Sequence, residues 1–181
     1  MDQLFHDIIQ SVMRFDANTM DLVVALRRPI LTKVMNSVTG LGSASAALVY
    51  LGLFYLAEWR EEFRVGLVSL AISGLIVGGL MITVQRPYPT QPVCLTGGAE
   101  TVAHSFPSGH AAVAMIFAML SRESDELPFL VVAIVAGTTA FSRFYLGTHY
   151  LSDTLVGVLI GAGSFLAARR ILATTAIGSR N

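Results

Sequence analysis

An all-α, polytopic membrane helix bundle is the fold the sequence predicts, with about five transmembrane helices plus an N-terminal amphipathic interfacial helix. Three observations predict it. Hydrophobic residues make up 54% of the 181-residue chain and charged ones 13%, about half the charge content usual for a soluble domain. Val34 to Ala57 and Val65 to Gln85 carry no charge, and each is about the length of one bilayer crossing. The ionisable residues that interrupt the apolar part gather at a few junctions, where their cost at membrane depth argues for function. One domain over residues 1–181 is expected, with an amphipathic segment at 1–28 and the membrane bundle at 34–172. The formal net charge of 0 offers no basic stripe, so nucleic acid is not expected as a partner. A lone cysteine, Cys94, allows no internal disulfide. The opening Met1-Asp2-Gln3-Leu4 has neither the positive nor the apolar region of a secretory signal.

Leu4, Ile8, Val12 and Phe15 recur near the helical period, with Asp7, Gln10, Arg14 and Asp16 interleaved. That pattern reads as an amphipathic helix lying at the interface, not as a span. Asn18-Thr19 offers a restart as a second short helix, and Arg27-Arg28-Pro29 ends it. Val34–Ala57 is the first predicted span, Glu58 to Arg64 a short charged loop with an interfacial Trp59, and Val65–Gln85 the second span. A long polar connection runs from Arg86-Pro87-Tyr88-Pro89 through Phe106, and such loops inside an apolar protein are functional or disordered. Ala111–Leu120, Leu127–Ser142 and Thr154–Ala168 are the remaining spans. Cut at charges they are too short to cross, so their helices must extend to include His110, Arg143 and Asp153. Gly74-x-x-x-Gly78 and Gly157-x-x-x-Gly161 match the close-packing pattern of membrane helix pairs. Tyr88, Tyr145 and Tyr150 fit an interfacial aromatic belt or the lining of a lipid entrance.

Five alternating spans put the 86–106 loop, the turn around His149 and the N-terminus on one side of the membrane. Arg86, His104, Ser108, His110, Arg143, His149 and Asp153 converge there. His104 lies outside any motif and reads as a solvated loop residue. Arginine forks match phosphate oxygens and stay charged at any relevant pH. Ser108-Gly109-His110 follows Pro107 at a helix start, where backbone N–H groups and the positive end of the dipole suit an anion. Arg143 reads as ending one helix and His149 as opening the next, with a break at Gly147-Thr148 and Asp153 one turn inside. Sharing a helix face, Asp153 would accept the Nδ1 proton of His149 and leave Nε2 as a nucleophile. His110 would protonate the departing oxygen. The set is poor in paired carboxylates, so neither metal nor cofactor is expected, and the arginines can neutralise the developing charge.

Pro107-Ser108-Gly109-His110, then Ser142-Arg143, His149 and Asp153 at their spacing, resembles the type 2 phosphatidic acid phosphatase (PAP2) family. Its members include membrane lipid phosphatases, glucose-6-phosphatases and soluble vanadium haloperoxidases. The resemblance implies His149 as nucleophile oriented by Asp153, His110 as acid, and phosphate contacts from Arg86, Ser108, Gly109 and Arg143. The first family motif, Lys, six residues, Arg-Pro, is incomplete: Arg86-Pro87 fits, but Gly79 stands at the lysine position and Lys33 is the only lysine in the chain. About two turns below Arg86 on the same face, a lysine at that position would snorkel up to the phosphate.

The expected function is metal-independent dephosphorylation of a lipid phosphate or lipid pyrophosphate through a phosphohistidine. Phosphatidic acid, phosphatidylglycerophosphate and polyprenyl pyrophosphate are all admitted as substrates, with membrane lipids as surroundings. Two other readings stand beside it: a lipid phosphotransferase using the same site, and a non-catalytic lipid-binding membrane protein suggested by Gly79. Setting Arg86 and Arg143 aside, the opposite face is richer in arginine, with Arg60, Arg64, Arg122, Arg169, Arg170 and Arg180. The positive-inside rule then places the site on the extracytoplasmic side of the cell membrane.

Overall fold

A computed structural model describes residues 2–89, 91–93 and 104–178. Among these residues the chain forms seven α-helices and no strand: α1 (Asp2–Leu26), α2 (Pro29–Thr39), α3 (Ala44–Leu56), α4 (Arg60–Val84), α5 (Gly109–Glu123), α6 (Phe129–Tyr145) and α7 (Leu151–Gly178). Helices α4 and α7 are each long and apolar enough to cross a membrane, and α2 and α3 together form a third such element bent by 56°.

The helices are longer than the uncharged runs suggest. The charged 58–64 stretch is mostly the first turn of α4, leaving only Ala57 to Trp59 between α3 and α4. Glu61 and Glu62 stand in that first turn, where carboxylates complement the dipole. At the N-terminus α1 runs unbroken to Leu26, so the expected restart at Asn18 does not occur. Thr19 stays inside the helix, with its hydroxyl donating to the Phe15 carbonyl at 2.6 Å.

The first expected span is divided. A 3₁₀ turn at Gly40–Gly42 separates α2 from α3, and Ser43 restarts the helix by accepting the Ala46 N–H at 3.1 Å, the usual N-cap bond. The turn is pressed into the bundle. A Cβ on Gly42 would stand 2.6 Å from Thr139 Cγ2 and 3.0 Å from the His110 carbonyl, so only glycine lets this corner reach α5 and α6. An uncharged run shows no such corner, because apolarity alone cannot distinguish a straight helix from a bent one.

Two cores hold the helices. Ala47, Leu51, Phe54, Val65, Phe117, Leu120 and Phe165 pack where α3, α4, α5 and α7 meet. Met20, Val23 and Met35 pack against Phe144, Tyr145 and Leu146, so the first two helices brace the C-terminal end of α6. Tyr145 is therefore core, not aromatic belt: its hydroxyl accepts the Arg28 N–H at 3.0 Å. The two glycine pairs behave differently. A Cβ on Gly157 would lie 2.3 Å from the Ser108 carbonyl, and one on Gly161 2.3 Å from the Ala112 carbonyl, whereas Gly74 and Gly78 face open space. Only the second pair packs a helix.

Candidate active site

Two polar ends terminate the bundle. At one, Arg169 pairs with Glu61 and Glu123, joining α7 to the start of α4 and the end of α5. The other end collects the predicted site residues. Helix α4 stops at Gln85, whose left-handed backbone (φ 49°) turns the chain, and Arg86 follows.

Ser108 caps α5, accepting the Ala111 N–H at 3.4 Å, and it is fully buried. Its own N–H donates to the Asp153 carbonyl at 3.0 Å. This bond joins the Pro107–His110 segment to the first turn of α7. Gly109 and His110 begin α5, so backbone donors face this end of the bundle.

Helix α6 ends at Tyr145, and the chain turns through Gly147 (φ 71°), a backbone shape that glycine adopts at little cost. The Arg143 carbonyl gathers the N–H groups of Thr148 and His149, each at 3.2 Å, and the Thr148 hydroxyl at 3.0 Å. Arg143 thus anchors the turn with its backbone while its Nη1 donates to Thr39 Oγ1 at 2.8 Å, tying α6 to α2.

His149 lies in this turn, before α7, and is 4% exposed. Its Nδ1 meets the Ser105 carbonyl at 2.5 Å. A carbonyl can only accept, so Nδ1 carries the proton and Nε2 the lone pair. This corrects the expected His149–Asp153 pair. The tautomer is the one anticipated, but a backbone carbonyl from the 104–108 segment fixes it. The Tyr88 ring stands edge-on to the imidazole, with centroids 6.4 Å apart. Burial, and then the neighbouring Arg143 cation, push His149 down to about 3 from its ordinary 6.5. The ring is therefore neutral, with the Nε2 lone pair free of a proton, until the pH falls toward about 3. Imidazole 15N NMR at pH 5 is expected to show His149 neutral and Nδ1-protonated; a fully protonated ring at that pH would contradict the arrangement.

Asp153 is occupied otherwise. One carboxylate oxygen accepts the Tyr150 N–H at 2.9 Å, and the other accepts Arg86 Nη1 at 2.6 Å. Arg86 also donates through Nη1 to Ser152 Oγ at 2.8 Å and through Nη2 to Asp16 Oδ2 at 2.7 Å. Its guanidinium lies 4.0 Å from the centroid of the Tyr150 ring, within cation–π range. Asp16 comes from α1, and both it and Asp153 are fully buried. The sequence gives little sign of this. Asp16 looks like one of several polar residues on an amphipathic helix, although Ile8, Val12, Phe15 and Leu22 around it are exposed.

His104 is half-buried and its Nδ1 is shielded, with no partner among the described residues, unlike the solvated residue expected. Cys94 and the rest of the 94–103 connection lie outside the described residues. Among the described residues no group of three or more His, Cys, Asp and Glu is arranged to hold a metal ion.

Residues 63–176 match the family model described as the PAP2 superfamily. The chain belongs to that superfamily. This PAP2 chain is 33% identical over 115 residues to decaprenylphosphoryl-5-phosphoribose phosphatase of Mycobacterium tuberculosis, covering 64% of each protein; it thus spans less than two thirds of that relative. It is 32% identical over 158 residues to phosphatidylglycerophosphatase B of Bacillus subtilis, covering 76% of this chain and 73% of that one. In fold it is similar to the crystal structure of a transmembrane PAP2-type phosphatidylglycerolphosphate phosphatase from Bacillus subtilis, with a TM-score of 0.73, 23% identity and coverage of 91% and 87%. Its helices, long and apolar enough to cross a bilayer, mark the PAP2 chain as a membrane protein.

Proposed function

We propose that the chain is a single-domain membrane phosphatase for lipid phosphates or lipid pyrophosphates, acting through a phosphohistidine on His149 without a metal. The observation that carries this reading is the 3.0 Å bond from Ser108 N–H to the Asp153 carbonyl, which holds the second and third family motifs together at one end of the bundle. The Nε2 lone pair of His149 attacks phosphorus as the bond to the lipid oxygen breaks. The electron pair leaves with that oxygen, which takes a proton from His110. Water then attacks the phosphohistidine and gives a proton to His110, the P–N electron pair returns to Nε2, and inorganic phosphate departs. Arg143, Arg86, Ser108 and the Gly109 N–H bind the phosphoryl oxygens. Asp153 acts as a positioning residue, through Tyr150 N–H and Arg86.

A lipid substrate is favoured by an apolar groove of about 510 Å³ between α3, α4 and α5. Leu48, Leu67, Gly74 and Val77 line it, and it reaches Gly109 and His110, so a hydrocarbon chain lying there would put its headgroup at the site. The two curated relatives described above are named for lipid-linked phosphate substrates. Helices α3 to α7 make five crossings in this reading, and α1 lies at the interface. Arg60, Arg64, Arg122, Arg169 and Arg170 at the other end favour a cytoplasmic position there, leaving the site on the outer side of the cell membrane.

Phosphate release in EDTA from phosphatidic acid, phosphatidylglycerophosphate and polyprenyl pyrophosphate tests the proposal. Transfer to an added alcohol in place of release would make the enzyme a phosphotransferase. Silence across the panel would leave a lipid-binding protein. A Cβ on Gly79 meets nothing within 4 Å, so a side chain can start there without a clash, and the lysine of the family pattern can be restored. Gly79→Lys is expected to raise kcat/KM by about 10-fold, the worth of one charge-assisted hydrogen bond.

A further inference from the structure

The N-terminal helix contributes a fully buried carboxylate to the site, and none of the family motifs includes it. Helix α1 is otherwise largely exposed, with Ile8, Val12, Phe15 and Leu22 turned outward. Among the described acidic side chains of α1, Asp16 alone is buried, at 0% exposure, and its carboxylate is fully employed. Oδ2 accepts Arg86 Nη2 at 2.7 Å and the Ser152 hydroxyl at 2.5 Å, and Oδ1 accepts the Ser152 N–H at 3.1 Å. The Ser152 oxygen in turn accepts Arg86 Nη1 at 2.8 Å.

We propose that Asp16 is a positioning residue for the phosphate-binding Arg86, and that α1 thereby completes the site. The arrangement has two consequences. An arginine side chain with several rotatable bonds follows the end of α4, and a carboxylate on each side removes that freedom. Asp16 also supplies the anion at the start of α7, where the unpaired N–H groups and the dipole favour one. Its grip on Ser152 therefore fixes the helix start that follows His149. Charge favours the same role. Asp16 and Asp153 both pair with Arg86, so opposite charges hold the guanidinium in place while the site is empty.

The inference rests on the phosphatase reading, and the test separates the two. Wild-type turnover of a lipid phosphate tests the reading alone. Asp16→Asn keeps the size and an acceptor oxygen but removes the charge. Two results are expected. The inhibition constant of inorganic phosphate and the KM for lipid phosphate each rise about 10-fold, and the 15Nε signal of Arg86 in NMR changes from slowly exchanging to averaged. A purely structural role would lower only the active fraction, leaving both constants and the Arg86 signal unchanged, and that result would overturn the proposal. Should Asp16→Asn fail to accumulate, Asp16→Ser takes its place, since it removes both the charge and the direct 2.7 Å contact with Arg86 while keeping a small polar side chain at the position. A rise of about 3-fold or more in the phosphate inhibition constant then supports the role, and an unchanged constant overturns it. Should the wild type turn over no lipid phosphate, the phosphatase reading falls, and the Arg86 signal with and without Asp16→Asn still decides whether Asp16 orders the arginine.

Discussion

His149→Ala is expected to reduce phosphate release by at least about 10³-fold, since the nucleophile itself is lost and the remaining groups only bind and polarise the substrate. The variant also leaves the Ser105 carbonyl without its donor, 2.5 Å away in the wild type. An unsatisfied buried acceptor costs about 1–3 kcal/mol, so a modest fall in the unfolding temperature in detergent is expected alongside. Such a fall cannot explain a thousandfold loss in protein that still elutes as a folded species. His149→Gln provides the sharper comparison, because its amide nitrogen can donate to the Ser105 carbonyl yet supplies no imidazole nucleophile. Equal loss in both variants, with stability recovered only in His149→Gln, separates the chemistry of Nε2 from the structural work of Nδ1. Substantial turnover by either variant would mean that His149 is not the attacking group.

The chemistry of this site was more legible than its wiring. Ser108, Gly109, His110, Arg143, His149 and Asp153 stand out because ionisable and helix-capping residues at apolar boundaries demand a reason, and the structure brings them to one end of the bundle. Partnership is harder to read. A spacing of four suggests that His149 and Asp153 touch, but that rule holds only on a continuous helix. The chain reaches helical geometry at Leu151, after His149. Asp16 was obscured for a different reason. A carboxylate on an amphipathic helix is ordinarily solvated, and only the docking of α1 on α6 and α7 buries this one. The bend at Gly40–Gly42 was hidden inside an uncharged run, since the reason for it, contact with Thr139 and His110, comes from helices distant in sequence.

Gly157→Ala tests whether helix packing and the site are one unit. The added methyl would sit 2.3 Å from the Ser108 carbonyl oxygen and 3.1 Å from Ala111 Cβ. The nearer neighbour is backbone, so the clash cannot be relieved by a side-chain rotation, and α5 must move away from α7. Overpacking of this kind costs about 1–3 kcal/mol, offset in small part by the better helix propensity of alanine. The unfolding temperature in detergent should fall by several degrees. Activity should fall further than the stability loss alone accounts for, because the displaced residue is Ser108 itself, whose N–H holds the Asp153 carbonyl at 3.0 Å. Gly74→Ala is the matched control. It carries the same methyl in the other glycine pair, where nothing lies within 4 Å, and alanine favours a helix over glycine by about 0.5–1 kcal/mol. Its unfolding temperature should hold or rise. Equal destabilisation by the two variants would mean that α4 packs through Gly74 against a neighbour, and would remove the groove through which the lipid chain is proposed to reach His110.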